Sequence, residues 1–92
     1  MSNKPIVFEN DIVIMFDCDD TLVMWNELGQ QDDDIVITPP NWEHSVRLRP
    51  HKKHIRLLKE FAARGQQVVV WSAGGHAWAK QVVEMLKLEP YV

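Results

Sequence analysis

Two apolar runs and two amphipathic segments organise the hydrophobic pattern of this 92-residue chain. Residues 12–16 and 67–71 are rich in consecutive apolar, β-branched positions, as in strands buried on both faces of a parallel sheet. Segments 51–64 and 76–87 place apolar residues at helical spacing, and Gly65 supplies a stop after the first of them. The order strand, insert, helix, strand, helix predicts an α/β fold with a right-handed parallel crossover.

The region between the first strand and the first helix, residues 23–50, is irregular and rich in turn-forming residues. Only residues 35–37 have a β-prone pattern, which predicts a loop or a small hairpin. Pro50 is expected to open the first helix, because proline is tolerated at a first helical position. We therefore predict a single domain over residues 1–92 with a small insert at about 23–50.

The net charge of −3 conceals an asymmetry between the two halves of the chain. Residues 1–45 carry ten acids and one base, a net charge of −9, whereas residues 46–92 carry nine bases and three acids, a net charge of +6. Such a split fits an acidic half that holds a cation and a basic half that meets an anion. It equally fits two halves that neutralise each other in the fold.

The cysteine content of the sequence bears on the cellular compartment, and its hydropathy bears on membrane association. The single cysteine, Cys18, cannot form an intrachain disulfide, which predicts a reducing, cytoplasmic location. No apolar run approaches the roughly 20 residues that span a bilayer. The N-terminal residues 1–5 lack the apolar core of a signal peptide, so we expect no membrane partner.

Three carboxylates, those of Asp17, Asp19 and Asp20, gather directly after the first apolar run. In open α/β sheets, ligands bind at the carboxyl ends of the strands, which is where this cluster lies. Two such carboxylates can hold Mg²⁺, one can attack a phosphoryl group, and the other can transfer a proton. The alternative is an acidic turn in which aspartate caps the following residues.

Ser72 ends the second apolar run and is followed by Ala73, two glycines and a helix start. A hydroxyl with free backbone N–H groups at a helix N-terminus favours an anion. If the two strands are neighbours, Ser72 lies beside Asp17. The alternative is that Ser72 caps the helix.

These motifs resemble those of the haloacid dehalogenase superfamily of phosphohydrolases. Residues 16–23 are similar to its first motif, an apolar strand followed by DxDxT, and residues 68–72 to its second, an apolar strand ending in Ser or Thr. Residues 46–50 with the following helix resemble a further common segment, with His51 in place of the usual glycine. The pieces also resemble the branch acting on the C-terminal domain of RNA polymerase, but other branches share them. The implied fold is a partial Rossmann-like sheet with flanking helices.

The resemblance implies a role for each matching residue. Asp17 would be the phosphorylated nucleophile and a Mg²⁺ ligand, and Asp19 the general acid and base, with its backbone carbonyl on the metal. Thr21 would support the loop, and Ser72, Ala73 and Thr21 would bind the phosphate. Asp20 would be exposed and not catalytic.

Two functions follow as hypotheses, because the superfamily's Lys motif and second Asp motif have no counterpart in residues 1–92. The first is a Mg²⁺-dependent phosphomonoester hydrolase that acts through an aspartyl-phosphate intermediate. The second is a non-catalytic, truncated fragment or assembly module that binds metal or phosphate weakly. Expected partners are a phosphorylated substrate of unknown identity and a second copy that completes the sheet; basic residues permit nucleic acid, but no motif supports it.

Other features of the sequence have two interpretations each. The run Asp32–Asp34 is expected to be a solvated acidic loop and not a cation site. Trp25 and Trp42 either pack the insert against the domain or grip a substrate. Lys80 is expected to be a solvated lysine on the second helix.

Overall fold

The protein is described here by a computed structural model that covers residues 13–25 and 29–92. Its elements are β1 (Val13–Asp17), β2 (Val23–Met24), β3 (Ile35–Ile37), β4 (Val46–Pro50), α1 (Lys52–Ala63), β5 (Gln67–Trp71), α2 (His76–Met85) and a 3₁₀ helix (Glu89–Tyr91). The predicted α/β class is confirmed. Residue 12, which begins the predicted first strand, and the N-terminal residues 1–5 lie outside the described residues.

The described strands form two separate sheets. β1 and β5 pair in parallel, with Phe16 opposite Val70 and Asp17 opposite Trp71. This pairing confirms the predicted crossover and brings the carboxyl ends of both strands to one edge. The strands β2, β4 and β3 form an antiparallel sheet in that order, and all three come from residues 23–50.

The prediction that Pro50 opens the first helix is wrong. Pro50 is the last residue of β4, where it pairs with Val23, and a strand end tolerates proline. His51 is the N-cap of α1: its backbone is extended, and its Nδ1 atom accepts the backbone N–H of His54 at 3.2 Å. At the other end, Gly65 follows the C-cap with a φ of 82°, the left-handed conformation that ends many helices.

The helices α1 and α2 both pack on one face of the parallel sheet. The prediction of strands buried on both faces is wrong, because Val13 and Met15, on the other face of β1, are 47% and 62% exposed. Leu58 of α1 is fully buried in a cluster with Phe16 and Val68. In α2 the buried residues are Trp78, Ala79, Val82 and Val83. Met85 is 43% exposed, because it lies at the edge of this buried stripe in the last turn of the helix.

The C-terminal residues 88–92 do not form a strand. Residues 89–91 form the 3₁₀ helix, and the preceding Leu88 is fully buried, with its backbone N–H donating to the Val83 carbonyl at 2.9 Å. Within the described ranges 13–25 and 29–92, no helix has the length and apolarity to cross a membrane.

The acidic run Asp32–Asp34 lies in the insert. The prediction that it is a solvated loop is wrong for Asp34, which forms ion pairs within the fold. The Asp34 side chain, only 4% exposed, pairs with Arg47 at 2.6 Å and with Arg49 at 3.1 Å. Asp33 pairs with Lys52 at 3.1 Å. Some of the acidic residues in the first half of the chain are therefore neutralised by basic residues of the second half.

Candidate active site

The turn after β1 is built around the carbonyl of Cys18. This oxygen accepts the backbone N–H groups of Thr21, Leu22 and Val23 at 3.3, 3.0 and 3.1 Å. Asp20 adopts a φ of 60°, a left-handed conformation that aspartate tolerates better than most residues. Asp20 is exposed, as predicted, and its Oδ1 atom accepts the Trp25 backbone N–H at 3.3 Å.

The Cys18 side chain is completely buried, and its backbone N–H donates to the Trp71 carbonyl at 3.0 Å. This bond continues the β1–β5 pairing one residue beyond the strand. Burial, followed by the negative charges of Asp19 and Asp17, raises the pKa of the thiol to about 12. The thiol therefore stays protonated and takes no part in chemistry at neutral pH.

Asp17 and Asp19 have different surroundings. Asp17, the last residue of β1, is exposed, and its carboxylate has no side-chain hydrogen bond or ion pair with another described residue. Asp19 is half-buried, and both of its carboxylate oxygens accept hydrogen bonds. One carboxylate is thus open to an incoming group while the other is held in place.

Three side chains donate to Asp19. The indole N–H groups of Trp25 and Trp78 reach Oδ1 at 3.0 and 2.9 Å. The Ser72 hydroxyl reaches Oδ2 at 2.8 Å. Hydrogen bonds to a carboxylate are stronger than those between neutral groups, so these donors fix the orientation of Asp19.

Ser72 is buried, and its hydroxyl oxygen also accepts the Gly74 backbone N–H at 3.0 Å. Gly74 leaves room for the neighbouring ring, because a Cβ atom there would lie 3.1 Å from Trp78 Cδ1. The loop that leads into α2 therefore places the serine and the tryptophan on the same carboxylate.

The other predicted phosphate-binding residues lie around this core. Ala73 is exposed in the turn after β5. Thr21 lies in the turn after β1, and its backbone carbonyl is 2.8 Å from the Nδ1 atom of His54. His54 in turn stacks on His51, with ring centroids 3.7 Å apart, so α1 supports the acidic turn.

The residues that the sequence did not assign to the site are Trp25 and Trp78, as donors to Asp19, and His54, as a support of the turn. Trp25 was expected to pack the insert or grip a substrate, and Trp78 received no role at the site. An indole N–H removed from water usually has an acceptor, but residue type alone does not identify that acceptor, because Asp19, Trp25 and Trp78 are brought together only by the packing of the insert.

The metal prediction can be compared with the donors present. Within the residues that the structure covers, no group of three or more His, Cys, Asp or Glu side chains is placed to hold a metal ion. Mg²⁺, however, is commonly held by one or two carboxylates together with waters and substrate phosphate. The oxygen donors of Asp17 and Asp19 suit that type of site, and Mg²⁺ binding stays a prediction.

Comparison with known families provides the identification. A family model described as NLI interacting factor-like phosphatase matches residues 12–92. The chain belongs to this family. No curated protein and no solved structure gives a match.

The NLI interacting factor-like phosphatases are a haloacid dehalogenase-like family, so the resemblance to that superfamily is confirmed. Membership supports a phosphatase, and the match includes both the acidic turn after β1 and Ser72 after β5. The paired strand ends thus lie within the matched region, together with the insert that contributes Trp25.

Proposed function

We propose that this member of the NLI interacting factor-like phosphatase family is a Mg²⁺-dependent phosphomonoester hydrolase that acts through an aspartyl phosphate on Asp17. One observation carries the proposal: an exposed carboxylate and a carboxylate held by three donors stand two residues apart at the end of a parallel strand. Nucleophilic attack suits the first, and proton transfer the second.

In the first step, an Asp17 carboxylate oxygen attacks the phosphorus atom, and the bond between phosphorus and the ester oxygen breaks. Asp19 in its protonated form gives its proton to the departing oxygen. In the second step, Asp19 takes a proton from a water molecule, whose oxygen attacks the phosphorus of the aspartyl phosphate. Phosphate leaves, Asp17 is regenerated as a carboxylate, and Asp19 is protonated again.

The Ser72 hydroxyl connects the proton on Asp19 to phosphate binding. While Asp19 is ionised, the single hydroxyl proton of Ser72 is donated to it at 2.8 Å. When Asp19 is protonated, its own proton is directed to the departing oxygen, and the Ser72 hydroxyl proton becomes available to a phosphoryl oxygen. Ala73 and Thr21 are proposed to contribute further phosphate contacts, Ala73 through its backbone N–H.

Mg²⁺ would be held by the Asp17 carboxylate and the Asp19 backbone carbonyl. When bound, it supplies positive charge that offsets the charge of the phosphoryl oxygens. We also propose a cytoplasmic location, a phosphorylated substrate and self-association. The cytoplasmic location rests on the single cysteine.

Turnover of 4-nitrophenyl phosphate, with Mg²⁺ or with EDTA, tests the proposal. Asp17→Asn is expected to abolish turnover, and Asp19→Asn to reduce it by about 10²- to 10⁴-fold, the usual contribution of proton transfer. Asp20→Asn is the matched control, because it removes a carboxylate from the same turn and keeps the left-handed conformation accessible. It should turn over like the wild type.

Normal turnover by Asp17→Asn would overturn the mechanism. A folded wild-type protein without Mg²⁺-dependent turnover would overturn the proposal as a whole and favour a non-catalytic module. Circular dichroism of each variant establishes whether it is folded.

A further inference from the structure

A small pocket opens directly beside Asp19. Its volume is about 160 Å³. Aromatic and proline rings make up most of its wall, which consists of Asp19, Trp25, Pro39, Pro40, Trp42, Gly74 and Trp78. Asp19 is the one charged residue among these, so the pocket presents ring surfaces on most sides and a carboxylate on one.

The three indoles form a continuous cluster. Trp25 lies between the other two, with its ring centroid 6.3 Å from that of Trp42 and 5.9 Å from that of Trp78. The rings are tilted by 56° and 48°, so they border a concave space and do not stack into a closed block. Trp25 and Trp78 are fixed by their N–H bonds to Asp19.

Trp42 is the exposed member of the cluster. Its side chain is 54% exposed, although the backbone that carries it is well defined by a turn. The Trp42 backbone N–H donates to the Pro39 carbonyl at 3.1 Å, and Asn41 takes a φ of 66° within that turn. Because this turn holds the backbone of Trp42, little conformational entropy is lost when the exposed ring contacts a ligand.

The volume limits what the pocket can hold. An apolar cavity of about 150 Å³ takes up one benzene molecule. A pocket of about 160 Å³ therefore has room for a single six-membered ring.

We propose that this pocket receives one aromatic ring of the leaving group, so that the substrate is a phosphomonoester of a phenol or a benzylic alcohol. The inference rests on the proposed function, because Asp19 gives its proton to the leaving oxygen. The group attached to that oxygen must then lie beside Asp19, and the space beside Asp19 is lined by indoles.

Binding measured without turnover provides the test. In the Asp17→Asn background with Mg²⁺ present, benzyl phosphate and n-propyl phosphate are titrated by calorimetry; their alkoxide oxygens have similar basicity. Benzyl phosphate is expected to bind about tenfold more tightly, the effect of roughly 1.4 kcal/mol of ring contact. Cyclohexylmethyl phosphate, which is of similar size but not aromatic, should bind more weakly than benzyl phosphate.

Variants locate the effect. Trp42→Ala should reduce the benzyl preference to less than about threefold, and Trp42→Phe should retain part of it. Tyr91→Ala is the control: it also removes an exposed aromatic ring, but Tyr91 lies beside Lys59 and does not line the pocket. It should keep the full preference.

The outcomes separate the two proposals. Equal binding of benzyl, cyclohexylmethyl and propyl phosphate, or a preference that survives Trp42→Ala, overturns the ring pocket even if Asp17-dependent turnover is normal. A Trp42-dependent benzyl preference in a protein without turnover upholds the ring pocket and counts against the phosphatase mechanism. Tighter binding of cyclohexylmethyl phosphate than of benzyl phosphate overturns the assignment of an aromatic ring.

Discussion

The Ser72 hydroxyl donates to Asp19 Oδ2 at 2.8 Å across a separation of 53 residues in sequence. This bond joins the loop after β5 to the turn after β1, the two segments that follow the paired strand ends. Because Ser72 is buried and also accepts the Gly74 N–H, it cannot easily be replaced by water.

Ser72→Ala should therefore impair catalysis more than folding. A hydrogen bond to a charged group contributes about 1.5–3 kcal/mol, so kcat on 4-nitrophenyl phosphate should fall by about 10- to 100-fold. Ser45→Ala serves as the control, because the Ser45 hydroxyl bonds only to the exposed Thr38 hydroxyl among the described groups. Equal kcat values for Ser72→Ala and wild type would contradict the assigned role.

Gly74→Ala should displace the Trp78 ring. The added Cβ would lie 3.1 Å from Trp78 Cδ1 and 3.3 Å from Ser72 Oγ, which is too close for an unmoved neighbour. We expect a loss of stability of about 1–3 kcal/mol, the usual cost of overpacking, and a shift of the Trp78 indole proton in the NMR spectrum.

Gly75→Ala provides the comparison for this shift. Gly75 has a φ of 104°, so alanine strains the backbone there, yet its Cβ would meet no atom within 4 Å. This variant should lose stability while the indole resonance stays in place. An unmoved resonance in Gly74→Ala would show that the loop absorbs the methyl group without disturbing Asp19.

The Asp34 ion pairs predict an acid-sensitive fold. The hydrogen bond from Arg49, aided by the charges of both arginines, holds the pKa of Asp34 below its usual value of 3.8. Ionised Asp34 therefore stabilises the fold above pH 3.8, and this contribution is lost as the pH falls through the lower, folded-state pKa. Asp34→Asn should lower the urea midpoint at pH 7 and flatten the decline of that midpoint below pH 3.8.

Asp32→Asn is the matched control for this experiment. Asp32 is exposed, two residues away, and has no ion pair with another described residue. Its substitution should leave the pH dependence of unfolding unchanged. Parallel stability curves for Asp34→Asn and wild type would contradict the role of the ion pairs.

Cys18 should be unreactive in the folded protein. With a pKa of about 12, only about one thiol in ten thousand is ionised at pH 8, and burial blocks access as well. Modification by a maleimide at pH 8 should be at least about 100-fold slower than in urea. Because the folded pKa is raised from 9.0, the fold should also lose stability as the pH rises from 9.0 toward 12.

Rapid labelling of Cys18 under native conditions would indicate that the turn after β1 opens readily. The urea-unfolded protein is the internal control, since its thiol is exposed and has an ordinary pKa.

The local pattern of apolar residues was enough to predict β1, β5 and α1, because these elements are formed around buried apolar side chains. β1 and β5 are continuous apolar runs, and the helical spacing of Leu58 and its neighbours sets the inward face of α1. β4 was not predicted because Pro50 was assigned to the start of the helix, although apolar residues and arginines alternate in Val46–Pro50 as in a half-buried strand. The ion pairs of those arginines with Asp34 join β4 to a distant loop. No local pattern contains that pairing.

The same limit applies to the site. The acidic turn and Ser72 could be recognised from residue type and position, because strand ends in a parallel sheet converge. The Trp25 and Trp78 contacts could not, because they depend on how the insert packs against α2. One element of that packing is the Gln81 side chain, which donates to the Thr38 carbonyl at 2.9 Å.

The residues of the candidate site are distributed over two separate sheets. The β1–β5 sheet carries the carboxylates and Ser72, whereas the antiparallel sheet and its turns carry Trp25, the proline pair and Trp42. On the proposed function and the proposed ring pocket, exchange of the turn at residues 38–45 is expected to change which alcohol is accepted without altering the nucleophile or its backbone. The segment proposed to select the substrate is thus distinct in sequence from the strand ends proposed to carry out the reaction.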